Sequence, residues 1–178
     1  TPSYSSAASD VYKSHIIPRC GHQRYEIYDP IENIHEDQIL KFSRLPAIID
    51  DKILKKSTEW ASILAEELNY IGTMCVEFFI DKNDNLYVNE VAPRVHNSCH
   101  LTINAYNVSQ FENHIRAVCS MERIPLKKLH NAKMINLIGD QIKPYRKNLI
   151  LKDKEFFFDY LKKEIKEKRK MGHLTKIF

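Results

Sequence analysis

Two apolar, β-prone segments joined by a short polar turn are the feature that most constrains how this chain folds. The first segment covers residues 74–80 and the second covers residues 86–91. Between them, residues 81–85 read DKNDN, and Asp and Asn are residue types that favour tight turns. This pattern predicts an antiparallel β-hairpin.

A glutamate lies within each strand of the predicted hairpin. With the turn centred in the polar segment, Ile80 pairs with Tyr87 and Glu77 faces Glu90. Carboxylates facing each other across two strands repel, and a divalent cation relieves the repulsion. Mg2+ binds one or two carboxylates together with phosphate oxygens, and Asn89 offers a further oxygen. A solvated carboxylate pair on an open sheet face is the alternative interpretation.

Five side chains that form hydrogen bonds follow the hairpin closely: Arg94, His96, Asn97, Ser98 and His100. The planar guanidinium of arginine binds phosphate, carboxylate or bicarbonate through two parallel hydrogen bonds, so Arg94 is a candidate anion ligand. A zinc site made of His96, Cys99 and His100 is a weaker alternative, because the sequence places no fourth ligand.

Glycine and cysteine usage exclude several common sites. The four glycines, at positions 21, 72, 139 and 172, are too dispersed for a phosphate-binding Walker A loop or a GxGxxG dinucleotide fingerprint. The four cysteines form no CxxC pair, which argues against a zinc knuckle or a dithiol redox motif. Reduced thiols are the expected state.

Composition restricts the class of protein further. With 178 residues and 43% hydrophobic content, the chain can bury the core of one domain or two small ones. The net charge of +4 is too small to indicate nucleic-acid binding, although residues 141–178 carry 12 basic and 5 acidic side chains. The sequence contains neither a long apolar segment nor a secretory signal pattern, so we predict a cytoplasmic protein with no membrane or nucleic-acid partner.

Helices and further strands surround the hairpin in the predicted α/β (α+β) fold. Helical periodicity covers residues 50–70 and 109–120, and Ser109 with Glu112 forms a capping box at the start of the second helix. The apolar face of that helix is predicted to comprise Phe111, Ile115 and Val118. A strand is predicted at 133–138, and residues 14–28 suggest another hairpin.

The hairpin and the loop after it contain recognisable motifs. VEFF at 76–79 and VNEVAPRVHNS at 88–98 closely resemble the ATP-grasp signature of N5-carboxyaminoimidazole ribonucleotide synthetases. Four more segments fit the same family in order: IENIH at 31–35, SQFENHIRAV at 109–118, MINLIG at 134–139 and RKMGHLT at 169–175. The resemblance covers nearly all of residues 14–178.

The resemblance implies the C-terminal part of an ATP-grasp fold, a mixed antiparallel sheet with flanking helices followed by a small C-terminal subdomain. We expect an irregular or truncated start at 1–13, the C-terminal ATP-grasp subdomain at 14–140 and the small basic subdomain at 141–178. Family members carry a further N-terminal domain before the aligned region. Cys99 stands where the family usually has glycine.

The resemblance also assigns functions to particular side chains. Glu77 and Glu90 are the expected Mg2+ ligands, and Arg94 is the expected catalytic residue. ATP is expected to contact three residues: His35, Asn89 and Glu90. The ribonucleotide and the carboxyphosphate intermediate are expected to contact five: Arg94, Asn97, Lys163, Arg169 and Lys170.

Three hypotheses for function follow. The first, implied by the resemblance, is the ATP-dependent carboxylation of 5-aminoimidazole ribonucleotide with bicarbonate in purine biosynthesis, through carboxyphosphate. The expected partners are these small molecules, with a possible homodimer. The second is a truncated ATP-grasp module that binds nucleotide or ribonucleotide without turnover. The third and weakest is a basic nucleic-acid-binding protein.

Overall fold

Eight strands form one sheet in the computed structural model, which describes the backbone of 11–19 and residues 26–81 and 83–178. The strands are β1 Val11–Arg19, β2 Ile31–Glu36, β3 Ile39–Leu45, β4 Gly72–Ile80, β5 Leu86–Ala92, β6 Ala132–Ile138, β7 Glu155–Asp159 and β8 Lys170–Ile177. Their order across the sheet is β5-β4-β1-β2-β3-β6-β8-β7. Each of these neighbours pairs antiparallel, as predicted.

In the described part of the chain, four α-helices connect or cover the strands: α1 Asp51–Glu67, α2 Thr102–Ala105, α3 Gln110–Val118 and α4 Lys143–Lys147. Short 3-10 helices cover Asn97–Cys99 and Gly139–Ile142. One of the two hydrogen bonds of the predicted capping box is present, since the Ser109 hydroxyl accepts a hydrogen bond from the Glu112 backbone N–H. None of the helices in the described part of the chain is long and apolar enough to cross a membrane.

Strand β4 is buried on both of its faces. Met74, Val76 and Phe78 pack in one apolar cluster with Ala61 and Ala65 of α1. Successive side chains of a strand point to opposite faces, so Cys75 and Glu77 lie on the face away from α1. The loop that follows β5 covers that second face, and it brings Cys99 into the same core cluster as Cys75.

Strand β1 differs from two expectations about the start of the chain. It pairs with β4 along its whole length and also with β2, whereas the sequence suggested a local hairpin within 14–28. Residues 26–28, the described end of that predicted hairpin, form no strand. Residues 11–13 belong to β1, although they fall within the stretch that we expected to be irregular; residues 1–10 lie outside the described part. Residues 20–25, which contain the predicted turn of that hairpin, lie outside the described part.

The apolar face predicted for α3 is not the face that the helix buries. Phe111, Ile115 and Val118 are 37%, 55% and 50% exposed. The helix instead buries its polar side chains Gln110 and Asn113, which form hydrogen bonds inside the protein. Specific hydrogen bonds therefore decide the orientation of this helix.

The last three strands extend the same sheet. Strand β6 pairs with β3 on one side and with β8 on the other, and β7 pairs with the outer edge of β8. One continuous sheet thus crosses the expected boundary between residues 140 and 141. The domain boundaries themselves stay a prediction.

Candidate active site

Glu77 lies at the centre of the candidate site, on the face of β4 that the loop after β5 covers. Its side chain is buried, with 5% of the residue exposed. The Nδ1 atom of His96 lies 3.4 Å from Glu77 Oε1 and 2.8 Å from the Ser98 hydroxyl. A carboxylate is therefore held in a nearly water-free position beside an imidazole.

A β-bulge sets the position of Glu90 opposite Glu77. Glu77 pairs with Glu90, as predicted, but Phe78 pairs with Val88, so Asn89 is an extra residue on β5. The predicted pairing of Ile80 with Tyr87 is wrong for this reason, since beyond the bulge the register shifts by one. Bulges commonly re-aim side chains next to active sites, and this one separates Asn89 from the regular ladder.

Glu90 and Arg94 form the exposed side of the site. Arg94 Nη2 lies 3.6 Å from Glu90 Oε1, and the two side chains are 60% and 47% exposed, respectively. Arg94 also donates a hydrogen bond from Nη1 to the carbonyl of Val95 at 3.0 Å. The guanidinium thus stands in contact with water beside the carboxylate pair, where it is accessible to an anion.

Three basic side chains interact electrostatically with Glu77. Burial lowers the pKa of His35, and the negative charge of Glu77 opposes that shift. Burial likewise lowers the pKa of Lys170, again opposed by Glu77. For His96, burial also lowers the pKa, but a hydrogen bond with Cys75 and the charges of Cys75 and Glu77 outweigh it, so the pKa is raised.

The position of Asn97 is fixed by a reciprocal amide pair. Asn97 Nδ2 donates to Asn136 Oδ1 at 3.1 Å, and Asn136 Nδ2 donates to Asn97 Oδ1 at 3.0 Å. Asn136 is almost fully buried on β6 and donates a further hydrogen bond to the carbonyl of Leu40. The central strands of the sheet therefore hold a side chain of the loop.

Tyr160 and His173 continue this network. Asn97 Nδ2 donates to Tyr160 Oη at 3.1 Å, and Tyr160 Oη lies 2.8 Å from His173 Nδ1. Burial lowers the pKa of His173 to about 4, so its ring is neutral at pH 7. The other ring nitrogen, Nε2, is buried without a hydrogen-bond partner among the described residues. This nitrogen is available for a hydrogen bond with a bound molecule.

Gln110 fastens the loop that carries these residues. Its side-chain amide forms hydrogen bonds with both backbone groups of His96, at 2.9 and 2.8 Å, and donates to His100 Nδ1 at 2.8 Å. Burial lowers the pKa of His100 to about 3. His100 is thus a neutral packing residue that accepts from Gln110, and the alternative zinc site of His96, Cys99 and His100 does not form as that hypothesis placed it.

The basic residues near the C-terminus lie at different distances from this centre. Lys170 is close enough to Glu77 for their charges to interact, and its carbonyl accepts a hydrogen bond from Lys162 Nζ at 2.7 Å. Arg169 is half-buried next to Lys170 and lowers the pKa of Lys162, after the larger effect of burial. Lys163 is exposed, and it is its neighbour Lys162 that contacts the Lys170 backbone.

Two family models match the chain. Residues 13–111 match the ATP-grasp domain, and residues 132–178 match the phosphoribosylaminoimidazole carboxylase C-terminal domain. The first match alone covers more than half of the chain.

The chain belongs to the ATP-grasp family.

Named relatives agree with the ATP-grasp assignment. The chain is 40% identical over 160 residues to the N5-carboxyaminoimidazole ribonucleotide synthase of Bacillus subtilis, a match that covers 90% of this chain and 42% of the relative. A Brucella melitensis protein of the same name is 41% identical over 151 residues, with 85% and 41% covered. The resemblance recognised from the motifs is thereby confirmed.

Solved structures show that the ATP-grasp fold matches along nearly the whole chain. The ADP complex of the Staphylococcus aureus N5-carboxyaminoimidazole synthetase superposes with a TM-score of 0.86 at 36% identity, covering 94% of this chain and 46% of that one. The Aspergillus clavatus synthase in complex with ADP and 5-aminoimidazole ribonucleotide gives 0.85 at 29% identity, covering 94% and 47%. The predicted fold class is confirmed.

The chain spans less than half the length of these relatives. The activity of the whole ATP-grasp protein, its substrates and its partners are therefore proposals for this chain. A homodimer and a cytoplasmic location stay predictions.

Sequence reasoning missed several residues of the site. Asn136, Tyr160 and His173 hold or extend the Asn97 position, but they lie 39 to 76 positions further along the chain. Cys75 contacts His96 from the strand and carries no motif of its own. The i,i+2 spacing of Cys75 and Glu77 on a predicted strand was the one available signal, because it puts both on one face.

Proposed function

We propose that this chain takes part in the ATP-dependent carboxylation of 5-aminoimidazole ribonucleotide with bicarbonate, which gives N5-carboxyaminoimidazole ribonucleotide in purine biosynthesis. The observation that carries the proposal is the pairing of Glu77 with Glu90 across β4 and β5. Arg94 lies beside Glu90, in the loop that also carries Asn97. The names of the relatives, and the ADP and ribonucleotide in one of their structures, support it.

The residues present fit a magnesium ion. Glu77 and Glu90 face each other across two strands, one buried and one exposed, so one side of the pair is open to water and to phosphate oxygens. Carboxylates, phosphate oxygens and water are the ligand set that Mg2+ prefers. We assign Glu77 and Glu90 to the metal, and Asn89 and His35 with Glu90 to ATP. When bound, Mg2+ offsets negative charge on the phosphates.

Arg94 suits the anionic reactants. In the proposed reaction a bicarbonate oxygen attacks the terminal phosphorus of ATP and ADP leaves, which gives carboxyphosphate. The amino group of the ribonucleotide then attacks the carboxyphosphate carbon, and phosphate leaves. The exposed guanidinium of Arg94 provides parallel donors for bicarbonate and carboxyphosphate, which makes it the catalytic residue of the proposal.

The ribonucleotide is assigned to the side of the site that Asn97 occupies. Asn97, fixed by Asn136, contacts the substrate, and the buried Nε2 atom of His173 lies in the same network and lacks a partner among the described residues. Three cationic side chains are assigned to the 5′-phosphate: Lys163, Arg169 and Lys170. Both burial and the positive charge of Lys162 disfavour the charged form of Lys170. The negative charge of a bound phosphate offsets both effects.

Thermal unfolding with ligands tests the proposal. The protein is titrated with magnesium-ATP, with 5-aminoimidazole ribonucleotide and with both, and wild type is compared with Glu90→Gln. A ligand at about 100 times its Kd, bound only by the folded state, adds roughly 2.7 kcal/mol of stability. We expect stabilisation by each ligand, and loss of the ATP effect in the variant.

Phosphate release, measured in the same samples with bicarbonate, separates the two ATP-grasp hypotheses. Release that requires all three substrates supports the ligase. Ligand-dependent stabilisation with phosphate at the level of a buffer blank supports a module that binds without turnover. Absence of stabilisation by either ligand would overturn both.

A further inference from the structure

One cysteine close to the candidate active site has no place in the proposed reaction. Cys75 lies two residues before Glu77 on β4, so both side chains point to the same face of the sheet. That face is covered by the loop that carries His96, and the Cys75 thiol forms hydrogen bonds with His96 and Cys99. A sulfur, a carboxylate and an imidazole thus meet in one buried place.

The distances among these three groups match those of a metal centre. Cys75 Sγ, a carboxylate oxygen of Glu77 and a ring nitrogen of His96 all lie within 4.8 Å of one another. The distance between His96 Nδ1 and Glu77 Oε1 is 3.4 Å. Ligand bonds of about 2.0–2.1 Å at a tetrahedral ion put nitrogen and oxygen roughly 3.4 Å apart, so this edge of the site already has its coordinated length.

We propose that Cys75, Glu77 and His96 form a binding site for a thiophilic divalent cation, with Zn2+ as the fitting ion and water at the fourth position. The donor set selects the ion. Thiolate and imidazole ligands favour zinc, whereas Mg2+ takes oxygen ligands almost exclusively. Three protein ligands with an open fourth position is a known arrangement for zinc.

The surroundings of the three groups suit this ion. Cys75 is fully buried, and Glu77 is 5% exposed, so the donors are shielded from competing water. His96 is held by Gln110 through both of its backbone groups, which fixes the loop that carries the imidazole. The His96 side chain is 14% exposed, and the open fourth position is expected on that side.

Glu77 belongs to both this site and the proposed magnesium site, so the two ions compete. This consequence rests on the proposed function: zinc at Cys75 would withdraw Glu77 from Mg2+ and suppress ATP binding. Zinc binding itself does not depend on the identity of the reaction, and it is measured without ATP.

Cobalt spectroscopy tests the site, because Co2+ occupies zinc sites and its bond to a thiolate absorbs in the near ultraviolet. The protein is titrated with Co2+ and then with Zn2+. We expect a thiolate absorption that saturates at one equivalent and disappears on adding Zn2+. In Cys75→Ser, which replaces only the sulfur by oxygen, the absorption should vanish.

Cys119→Ser is the matched control, since Cys119 is an exposed cysteine that directly follows α3 and lies outside the cluster. It should keep the wild-type absorption and affinity. His96→Gln supplies a second, independent variant if Cys75→Ser does not fold, and it should weaken Co2+ binding by more than tenfold. No thiolate absorption in wild type, or an absorption unchanged in Cys75→Ser, would overturn the proposal.

Discussion

The side-chain amides of Asn97 and Asn136 donate to each other's oxygen, at 3.1 and 3.0 Å. Asn97 lies in the loop after β5, and Asn136 lies on β6, in the part of the chain that the second family model matches. The two matched regions are therefore joined by a pair of complementary hydrogen bonds within the candidate site.

Replacing Asn136 by Ala should destabilise the protein and misplace Asn97. The change leaves the Asn97 amide and the Leu40 carbonyl without their buried partner, and each unsatisfied buried group costs about 1–3 kcal/mol. Urea unfolding measures the loss. Asn148→Ala, at an exposed position, should change the unfolding free energy by less than about 0.5 kcal/mol. Equal stability of the two variants would contradict the prediction.

Glu77→Gln should strongly weaken magnesium-dependent ATP binding, because the oxygen of a neutral amide is a weaker Mg2+ ligand than the buried carboxylate. The measurement is the shift in unfolding temperature on adding magnesium-ATP. Glu112→Gln, a partly exposed glutamate on α3, serves as the control and should keep the full shift. If Glu77→Gln is stabilised as strongly as wild type, Glu77 does not bind the metal.

The two faces of α3 should differ in sensitivity to mutation, opposite to what its apolar pattern suggests. Asn113 is 2% exposed and donates to Tyr28 Oη at 2.6 Å, whereas Ile115 is 55% exposed. Asn113→Ala should therefore cost about 1–3 kcal/mol, since it leaves a buried hydroxyl with one partner fewer. Ile115→Ala should cost less than about 0.5 kcal/mol. Chemical unfolding of both variants measures these losses of unfolding free energy. A larger loss in Ile115→Ala than in Asn113→Ala would show that α3 buries its apolar face.

Stability should fall as the pH is lowered from 6.5 towards 4. Burial lowers the folded-state pKa of His100 to about 3 and that of His173 to about 4, compared with 6.5 for an ordinary histidine. Within this window the unfolded chain binds protons that the folded one does not, so each histidine removes about 1.4 kcal/mol of stability per pH unit. Above pH 6.5 both histidines are neutral in the folded and the unfolded chain, so neither makes the stability depend on pH.

Unfolding free energies at several pH values, with His173→Gln as the variant, check this prediction. The variant should have a lower absolute stability and a shallower dependence on pH between 6.5 and 4. His130→Gln, at an exposed position, is the control and should keep the wild-type slope. A slope unchanged in His173→Gln would contradict a buried neutral His173.

Much of the fold was predictable because its signals are local. The DKNDN turn and the flanking apolar residues define the β4–β5 hairpin, and Glu77 pairs with Glu90 as the sequence predicts. The bulge at Asn89 was not predictable, since one extra residue in a strand leaves no mark in the alternation on either side of it.

The parts that were not predictable depend on partners distant in sequence. Hydrophobic periodicity orients α3 wrongly because it assigns no value to the buried hydrogen bonds of Gln110 and Asn113. Likewise, nothing near Asn97 indicates that Asn136 and Tyr160 will fix it, because the pairing of β8 with both β6 and β7 brings them together. Site residues carried by motifs could be proposed from the sequence, whereas the supporting residues supplied by topology were missed.

The position of β6 between β3 and β8 has a consequence for any shortened form of the protein. A chain that ended at residue 131 would leave β3 as a bare edge, because the backbone groups that residues 42–45 direct towards β6 would lose their partners. Exposed edges of this kind recruit strands from other molecules and promote aggregation. The C-terminal strands therefore act as a protective cap for the sheet that holds the hairpin, whatever else they bind.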